Sequence, residues 1–209
     1  MLMLSRIAFM TAEMDADDAE QKLLGLAGNE KDIERIKSSF AFCDIVKCCR
    51  DFEDFQIKIC QLVKEKNLDA VVIDSFHFLP FYDDLSPRKM SSVSRRLKFL
   101  ARELNIVIVV TNRTNYRSLE QECVYRPLLI DLEQVGDLNY FSDVVLGLYR
   151  PEMLGISVDA HGYRLEGIIQ IEILKSRKSF NQLISYRITP DMGAIEEVEL
   201  IDKRQRMLF

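Results

Sequence analysis

The chain has 209 residues, 48% hydrophobic and 29% charged, a globular composition that excludes collagen, low-complexity disorder and a whole-chain coiled coil. Its 33 acidic residues outnumber its 28 Lys and Arg residues, and the formal net charge of −5 excludes binding of nucleic acid through overall charge. Its apolar runs fall far short of the roughly 18 residues that a membrane span needs. We therefore expect no membrane-spanning segment.

Strand and helix patterns alternate over the first two thirds of the chain. Arg6–Met10 predicts a buried strand, and Asp15 is placed to cap a helix that runs to about Gly28. Asp51 is placed to cap a further helix, because apolar residues after it recur with the 3.6-residue period of a helix. The other elements predicted here are a short helix at Ile33–Ser39, a weak strand at Cys43–Val46, buried strands at Ala70–Asp74 and Ile106–Val110, and a helix from Ser86-Pro87 to Leu104.

The last third changes character, because strand patterns follow one another over short turns. This order predicts an α/β fold, with a mainly parallel sheet flanked by helices on both faces and a C-terminal antiparallel extension. No repeat or linker interrupts it, so we expect residues 1–209 to form a single domain. The elements predicted here are a polar loop at Asn112–Arg126 and strands at Asp143–Tyr149, Ile168–Leu174, Ile184–Ile188 and Ala194–Val198.

The cysteines do not have the spacing of a metal site. The five are Cys43, Cys48, Cys49, Cys60 and Cys123, and no C-x-x-C occurs among them. Because the chain also has only two histidines, the sequence disfavours zinc ligation. We expect buried free thiols in the reducing cytosol, and hence a cytoplasmic protein.

Two carboxylates stand just after predicted strands. Asp74 ends the run AVVID, and in phosphoryl-transfer enzymes an aspartate at the carboxyl edge of a parallel sheet holds magnesium, usually through water. Glu13 follows the first strand and could polarise a water that attacks a γ-phosphate. Each has an ordinary explanation too, since strand-end aspartates cap turns and acidic residues are common at helix starts.

A basic cluster closes the strand IIQIEIL. It comprises Lys175, Ser176, Arg177 and Lys178. Cations at a strand end suit a phosphate, bound either by this subunit or by a neighbouring one. A solvated basic turn accounts for the same residues, so both explanations stay open.

The order of the segments is more informative than any one of them. The chain presents, in sequence, IAFMTAEM, LDAVVIDSFHFL, RRLKFLARELNIVIVV, RSLEQ, RPLLIDL…G…SDVVLGLYR, IEILKSRK and ISYRITPDMGAIEE. Over nearly the whole chain this resembles the C-terminal RecA-like motor domain of the DnaB family of replicative helicases, most specifically in RPLLIDL…SDVVLGLYRPE and the K-x-R strand end. The resemblance implies a RecA-like P-loop NTPase fold, ATP and Mg²⁺ as cofactors, single-stranded DNA as a partner, and a hexamer-type ring or a helicase partner.

Site roles follow from the same resemblance, position by position. Glu13 resembles the catalytic glutamate, and Asp74 resembles the Walker B aspartate that binds Mg²⁺. Lys175 and Arg177 resemble the lysine and the arginine finger that reach the ATP of the adjacent subunit. In such a motor, hydrolysis at successive interfaces moves the DNA-binding loops along the strand.

Two loops depart from the family pattern. Aligning on Arg117, which begins RSLEQ, puts Thr114 where the family has the glutamine that senses the γ-phosphate, and both are expected on the nucleotide side. The segment DLEQVG at residues 131–136 resembles the DNA-gripping loop D-L-R-E-S-G, but Glu133 replaces its arginine. This charge reversal would weaken binding to phosphates. The expected DNA-side residues are Glu133, Gln134 and Gly136.

The phosphate-binding motif G-x-x-x-x-G-K-[ST] does not occur in the chain. In the family this loop precedes the segment matching Ile7–Met14, and its backbone N–H groups and lysine supply most of the phosphate binding. We therefore expect an N-terminally incomplete domain that does not hydrolyse ATP alone. Because the strand before that loop is interior, its neighbours must pair with each other, pair with another chain, or leave backbone groups unpaired.

Three functional hypotheses follow. The first is a truncated ATP-driven DNA helicase domain in which Glu13 and Asp74 keep their roles. The second is a non-catalytic RecA-like binding or assembly protein in DNA replication or repair, which the missing phosphate loop, Thr114 and Glu133 favour. The third is a small-ligand enzyme of another α/β family.

Overall fold

The computed structural model describes residues 6–82, 86–113, 126–132, 137–159, 162–177, 183–188 and 195–198. The chain divides into two compact units, one of Met1–Asn115 with Leu132–Ser142 and the other of Tyr116–Asp131 with Asp143–Phe209. Each unit contains one four-stranded sheet. That residues 1–209 form a single domain stays a prediction.

The first unit is built on a parallel sheet with the order β2-β1-β3-β4. Thr11 lies opposite Asp44 on one side and Asp74 on the other, so the carboxyl ends of three strands meet at one edge. This edge is where ligands bind in parallel sheets, and both predicted carboxylates belong to it. The strands are β1 (Ile7–Thr11), β2 (Phe40–Asp44), β3 (Ala70–Asp74) and β4 (Val107–Val110).

Helices link these strands, and most of them begin at side chains that accept hydrogen bonds from their first N–H groups. The prediction that Asp15 caps the first helix was right in position only: its side chain makes no capping hydrogen bond and pairs with Lys47 instead. The Asp51 carboxylate accepts hydrogen bonds from the N–H groups of Glu53 and Asp54, and the Ser86 hydroxyl accepts one from Lys89, as expected of cap residues. The helices are α1 (Ala16–Gly25), α2 (Glu30–Ser39), α3 (Ile45–Cys48), α4 (Phe52–Lys66), α5 (Pro87–Glu103) and α6 (Leu138–Phe141).

The core of the first unit lies on one face of the parallel sheet. Alternate strand residues point to the same face, and on this face those of β1 and β3 are fully buried in one cluster with residues of α4 and α5, while Ile108 and Val110 of β4 are partly buried. The strand residues with 0% exposure are Ala8, Met10, Val71 and Ile73, and the helix residues packed in the same cluster include Phe55, Ile59, Val93 and Leu97.

Two local predictions for this sheet were wrong. The strand predicted at Cys43–Val46 was placed too late: β2 ends at Asp44, whose carboxylate accepts a hydrogen bond from the Lys47 N–H and thereby starts α3. The run Ile106–Val110 is not buried throughout, because Val107 is 60% and Val109 45% exposed. Among the described residues, β4 pairs with a strand on one side only.

The second unit holds the C-terminal antiparallel extension that the sequence predicts. Its sheet has the order β5-β6-β7-β8, and every neighbouring pair is antiparallel. The strands are β5 (Val144–Tyr149), β6 (Ile168–Ser176), β7 (Leu183–Ile188) and β8 (Ile195–Val198). None of the helices in the described ranges is long and apolar enough to cross a membrane.

Candidate functional site

The candidate site is the carboxyl edge of the parallel sheet, where β1, β3 and β4 end side by side. The Ala12 N–H donates to the Asp74 carbonyl at 2.6 Å, and the Thr111 N–H donates to the Ile73 carbonyl at 3.0 Å. The residues that follow the three strands are therefore held next to one another by backbone hydrogen bonds. Asp74 ends β3 and Glu13 follows β1, so both residues lie at this edge.

Asp74 is fixed by the residue that follows the neighbouring strand. The Thr111 hydroxyl donates a 2.6 Å hydrogen bond to Oδ1 of Asp74, and the Phe76 N–H donates to the Thr111 carbonyl at 3.0 Å. The carboxylate is half-buried. These bonds orient Asp74 and leave its second oxygen, Oδ2, as the atom that can hold a hydrated cation.

Glu13 projects from a short turn after β1. The buried Thr11 hydroxyl accepts a hydrogen bond from the Met14 N–H at 3.1 Å and donates to the Met14 carbonyl at 3.0 Å, which closes the turn. Arg113 Nη2 donates to Glu13 Oε1 at 2.8 Å, and the Arg113 guanidinium lies 4.7 Å from the centre of the Phe78 ring. The ion pair therefore holds Glu13 at the edge through one oxygen.

His77 is a further polar group at this edge. Its Nδ1 accepts a hydrogen bond from the Arg113 N–H at 3.4 Å, and its ring lies 5.2 Å from that of Tyr82. Burial, with a smaller contribution from the Arg113 charge, lowers the pKa of His77 below its ordinary value. The imidazole is therefore kept neutral near pH 7, the form in which Nδ1 can accept that bond.

The donor atoms at this edge suit magnesium. The Asp74 carboxylate and the Thr111 hydroxyl are oxygen ligands, the type that Mg²⁺ takes, usually with several waters retained. Two nearby buried oxygens, Ser75 Oγ and Asn112 Oδ1, have no hydrogen-bond partner among the described residues, and a hydrated ion would supply one. No group of three His, Cys, Asp or Glu side chains in the described ranges is placed to hold a metal directly.

Sequence reasoning missed Thr111 and Arg113, the side chains that contact Asp74 and Glu13. A signal was present, because Thr111 directly follows the predicted strand that ends at Val110, and Arg113 stands two residues further on. The loop predicted at Asn112–Arg126 begins after Thr111, and most of it, residues 114–125, lies outside the described residues.

Lys175 and Arg177 belong to the second unit, at the end of β6 as the sequence predicts. Lys175 pairs in register with Val145 of β5. Arg177 follows the strand, its N–H donates to the Asp143 carbonyl at 3.1 Å, and its Nη1 lies 3.3 Å from Asp143 Oδ1. Asp143 is thus a local partner that the sequence did not indicate, and Arg177 would have to leave it to reach a phosphate.

The predicted residues of the nucleotide-sensing and DNA-gripping loops lie outside the described residues. They are Thr114, Arg117, Glu133, Gln134 and Gly136. Their expected roles remain predictions from the sequence.

Residues 3–196 match the family model described as the DnaB-like helicase C terminal domain. The replicative DNA helicase DnaB of Mycobacterium leprae (strain TN) is 35% identical over 101 residues, which are 47% of this chain and 17% of that protein. That of Buchnera aphidicola subsp. Acyrthosiphon pisum (strain APS) is 31% identical over 120 residues, 56% of this chain and 25% of that protein. This chain therefore spans at most about a quarter of these two curated relatives.

Solved structures show the same fold. One solved ATPase domain has a TM-score of 0.75 at 23% identity, covering 93% of this chain and 75% of that one. The structure of a DnaB-like replicative helicase and its interactions with primase has a TM-score of 0.74 at 23% identity, covering 93% of this chain and 51% of that one. The KaiC-like protein PH0186 from Pyrococcus horikoshii OT3 has a TM-score of 0.62 at 18% identity, covering 93% of this chain and 76% of that one. The predicted RecA-like α/β fold is confirmed.

Proposed function

The chain belongs to the family of DnaB-like helicase C-terminal domains, and from that premise we propose that its carboxyl edge is the Mg²⁺–nucleotide side of an ATP-driven DNA motor. This membership sets aside the small-ligand enzyme of another α/β family. The observation that carries the proposal is the placement of Glu13 and Asp74 at one edge, next to Thr111.

In this proposal Asp74 would hold the magnesium ion through water. Because the Thr111 hydroxyl occupies Oδ1, Oδ2 is the atom that would accept a hydrogen bond from a water of the ion. The bound ion would supply positive charge that stabilises the negative charge of the phosphates.

Glu13 is the proposed base that orients and deprotonates the attacking water. Its Oε1 is held by Arg113, so the water would donate its hydrogen bond to Oε2. Arg113 acts as a positioning residue, because its contact fixes the carboxylate and its guanidinium is braced on the Phe78 ring.

We further propose that this chain alone binds MgATP weakly, because it has no G-x-x-x-x-G-K-[ST] loop to surround the phosphates. Calorimetric titration of the chain with MgATP tests this directly. We expect a dissociation constant well above the micromolar range. Micromolar binding would show that another element supplies a working phosphate site.

Substitution of Glu13 tests the base assignment. At saturating MgATP, Glu13→Gln should remove hydrolysis while leaving nucleotide binding unchanged, a loss of about 10²–10⁴-fold wherever the wild-type rate is measurable. Glu34→Gln, an exposed carboxylate of α2, is the matched control and should hydrolyse as the wild type does. Hydrolysis that survives Glu13→Gln would reject this role.

We propose single-stranded DNA as the polymer partner, bound weakly because Glu133 stands where the family has arginine. Fluorescence anisotropy should show weak, salt-sensitive binding. Glu133→Arg should tighten binding and steepen the salt dependence by about 0.7 in log–log slope for each phosphate that the new arginine neutralises, with Glu133→Gln intermediate. Nanomolar binding by the wild type at physiological salt would contradict this interpretation.

The same premises support a ring assembled in the cytoplasm, with Lys175 and Arg177 turned to the ATP of a neighbouring subunit.

A second candidate function is a non-catalytic binding or assembly protein beside a complete helicase. The missing phosphate loop favours it, as do Thr114 and Glu133. Co-purification with a complete helicase, without ATP hydrolysis of its own under any condition, would select the second function over the first.

A further inference from the structure

We propose that Cys43 and Cys48 form a reversible disulfide by exchange with low-molecular-weight disulfides. The two sulfur atoms are 3.6 Å apart, and the Cys48 sulfur is also 3.5 Å from that of Cys49. Cys43 lies near the end of β2, and Cys48 ends the short helix α3 that follows. A disulfide needs an S–S separation of about 2.05 Å, so the two sulfur atoms must approach each other by about 1.5 Å to form the bond.

The three thiols differ in their access to solvent, which assigns their order of reaction. Cys48 is exposed, Cys43 is half-buried and Cys49 is 2% exposed within the core. An incoming disulfide can therefore reach Cys48, while Cys43 reacts only with a sulfur already delivered to its side. The exposed position of Cys48 also corrects the expectation that the cysteines are buried.

Cys43, not Cys49, is the resolving thiol. Adjacent residues have Cα atoms about 3.8 Å apart, below the range of about 4.4–6.8 Å that disulfides prefer. A Cys48–Cys49 bond would be strained for this reason. It would also pull Cys49 out of the core, where it packs with Ile45 and Phe52 among others.

The exchange proceeds in two steps. The Cys48 thiolate attacks glutathione disulfide, forming a Cys48–glutathione bond and releasing one glutathione thiolate. The Cys43 thiolate then attacks the Cys48 sulfur, forming the Cys43–Cys48 bond and expelling the second glutathione. The protein is oxidised by two electrons, glutathione disulfide is reduced to two thiols, and the protons of both cysteines pass to the departing thiolates through solvent.

The surroundings of Cys43 predict which step is slow. Burial raises the pKa of its thiol to about 12; the contact and charge of Cys48 and the charge of Asp44 act in the same direction, and Lys58 of α4 acts against them. The resolving step depends on the small thiolate fraction, so its rate should rise about tenfold per pH unit between about pH 7 and pH 9. The mixed disulfide on Cys48 should therefore accumulate at neutral pH.

Titration of the full chain with oxidised and reduced glutathione, followed by peptide mapping under non-reducing conditions, tests the proposal. We expect a Cys43–Cys48 cross-link that reduced glutathione reverses. Cys43→Ser should stop at the glutathione adduct on Cys48. Cys49→Ala is the matched control, and in it the Cys43–Cys48 disulfide should form at the wild-type rate.

Three outcomes would overturn the proposal. One is a cross-link that joins Cys48 to Cys49, Cys60 or Cys123 in the wild type. Another is a Cys43→Ser variant in which Cys48 releases its glutathione and forms an internal disulfide as fast as in the wild type. The third is a Cys48 that stays a glutathione adduct even at high pH. Cys48→Ser replaces an exposed side chain, so it should fold normally and take up no glutathione at this cluster.

Discussion

The two faces of the parallel sheet differ although the same four apolar strands supply both. On one face Ala8, Met10, Val71 and Ile73 are wholly buried beneath helices. On the opposite face, the β4 end of the sheet exposes Val107 and Val109. Residue type does not distinguish the two faces, because valine and isoleucine occur on each.

This difference shows that burial in a sheet depends on what packs against it. The buried face contributes stability in proportion to the apolar area removed from water, while the exposed valines contribute little of that kind. The carboxyl edge lies where both faces end, and its side chains are held by hydrogen bonds instead of apolar packing. Substitutions on the buried face, at the start of the helix α4 that covers it, and at the carboxyl edge should have effects of decreasing size.

The largest effect is expected on the buried face. Ile73→Ala removes a fully buried side chain and should lower the free energy of unfolding by about 2–5 kcal/mol. Val107→Thr keeps the β-branched shape on the exposed face and should change it by less than about 0.5 kcal/mol. Urea unfolding measures both. Equal losses would contradict the contrast between the faces.

A smaller effect is expected at the start of α4, which supplies Phe55 and Ile59 to the buried face. Asp51→Ala removes the acceptor for two N–H groups at 2.9 Å and should cost about 0.5–2 kcal/mol. Asp51→Ser restores a capping hydroxyl and should recover most of the loss. A neutral result for Asp51→Ala, measured by urea unfolding, would show that packing alone fixes the helix.

The smallest effect is expected at the edge, from His77. Because its pKa is lowered in the folded protein, the unfolded chain binds more protons as the pH falls below the ordinary value of 6.5. The contribution of neutral His77 to the free energy of unfolding is therefore fully present above that pH and is lost as the pH falls. The unfolding free energy of the wild type minus that of His77→Gln should therefore fall between about pH 7.5 and about pH 5.5. A difference that grows in acid would reverse the assigned sign.

The succession of strands and helices along the chain, the helix caps at Asp51 and Ser86, and the C-terminal run of strands could be predicted because each depends on local sequence. The exposure of Val107 and Val109 in β4 could not be predicted, because the sequence VIVV is uniformly apolar and shows no alternation that would distinguish the two faces of the strand. The end of β2 was misplaced for a related reason: an apolar pattern continues past Asp44, but the carboxylate caps α3.

At the candidate site, the sequence indicated the two carboxylates but not their partners. Asp74 and Glu13 follow apolar runs, which is a local signal. Thr111 and Arg113 meet them only because β4 lies beside β3, a contact between residues far apart in sequence. The sulfur contacts of Cys43 and Cys48 likewise depend on the turn that α3 makes after β2.

The central claim, that the Asp74 edge holds a magnesium–nucleotide complex, is tested most directly by paramagnetic broadening in NMR spectra with millimolar Mn²⁺–ATP, which detects weak binding. We predict that the amide signals of Ala12, Ser75 and Asn112 broaden first and that Asp74→Asn removes this effect. Asp69→Asn, at the opposite end of β3 where Asp69 accepts a hydrogen bond from the Arg6 N–H, should leave it unchanged. Broadening that survives Asp74→Asn, or that centres on other residues, would contradict the claim.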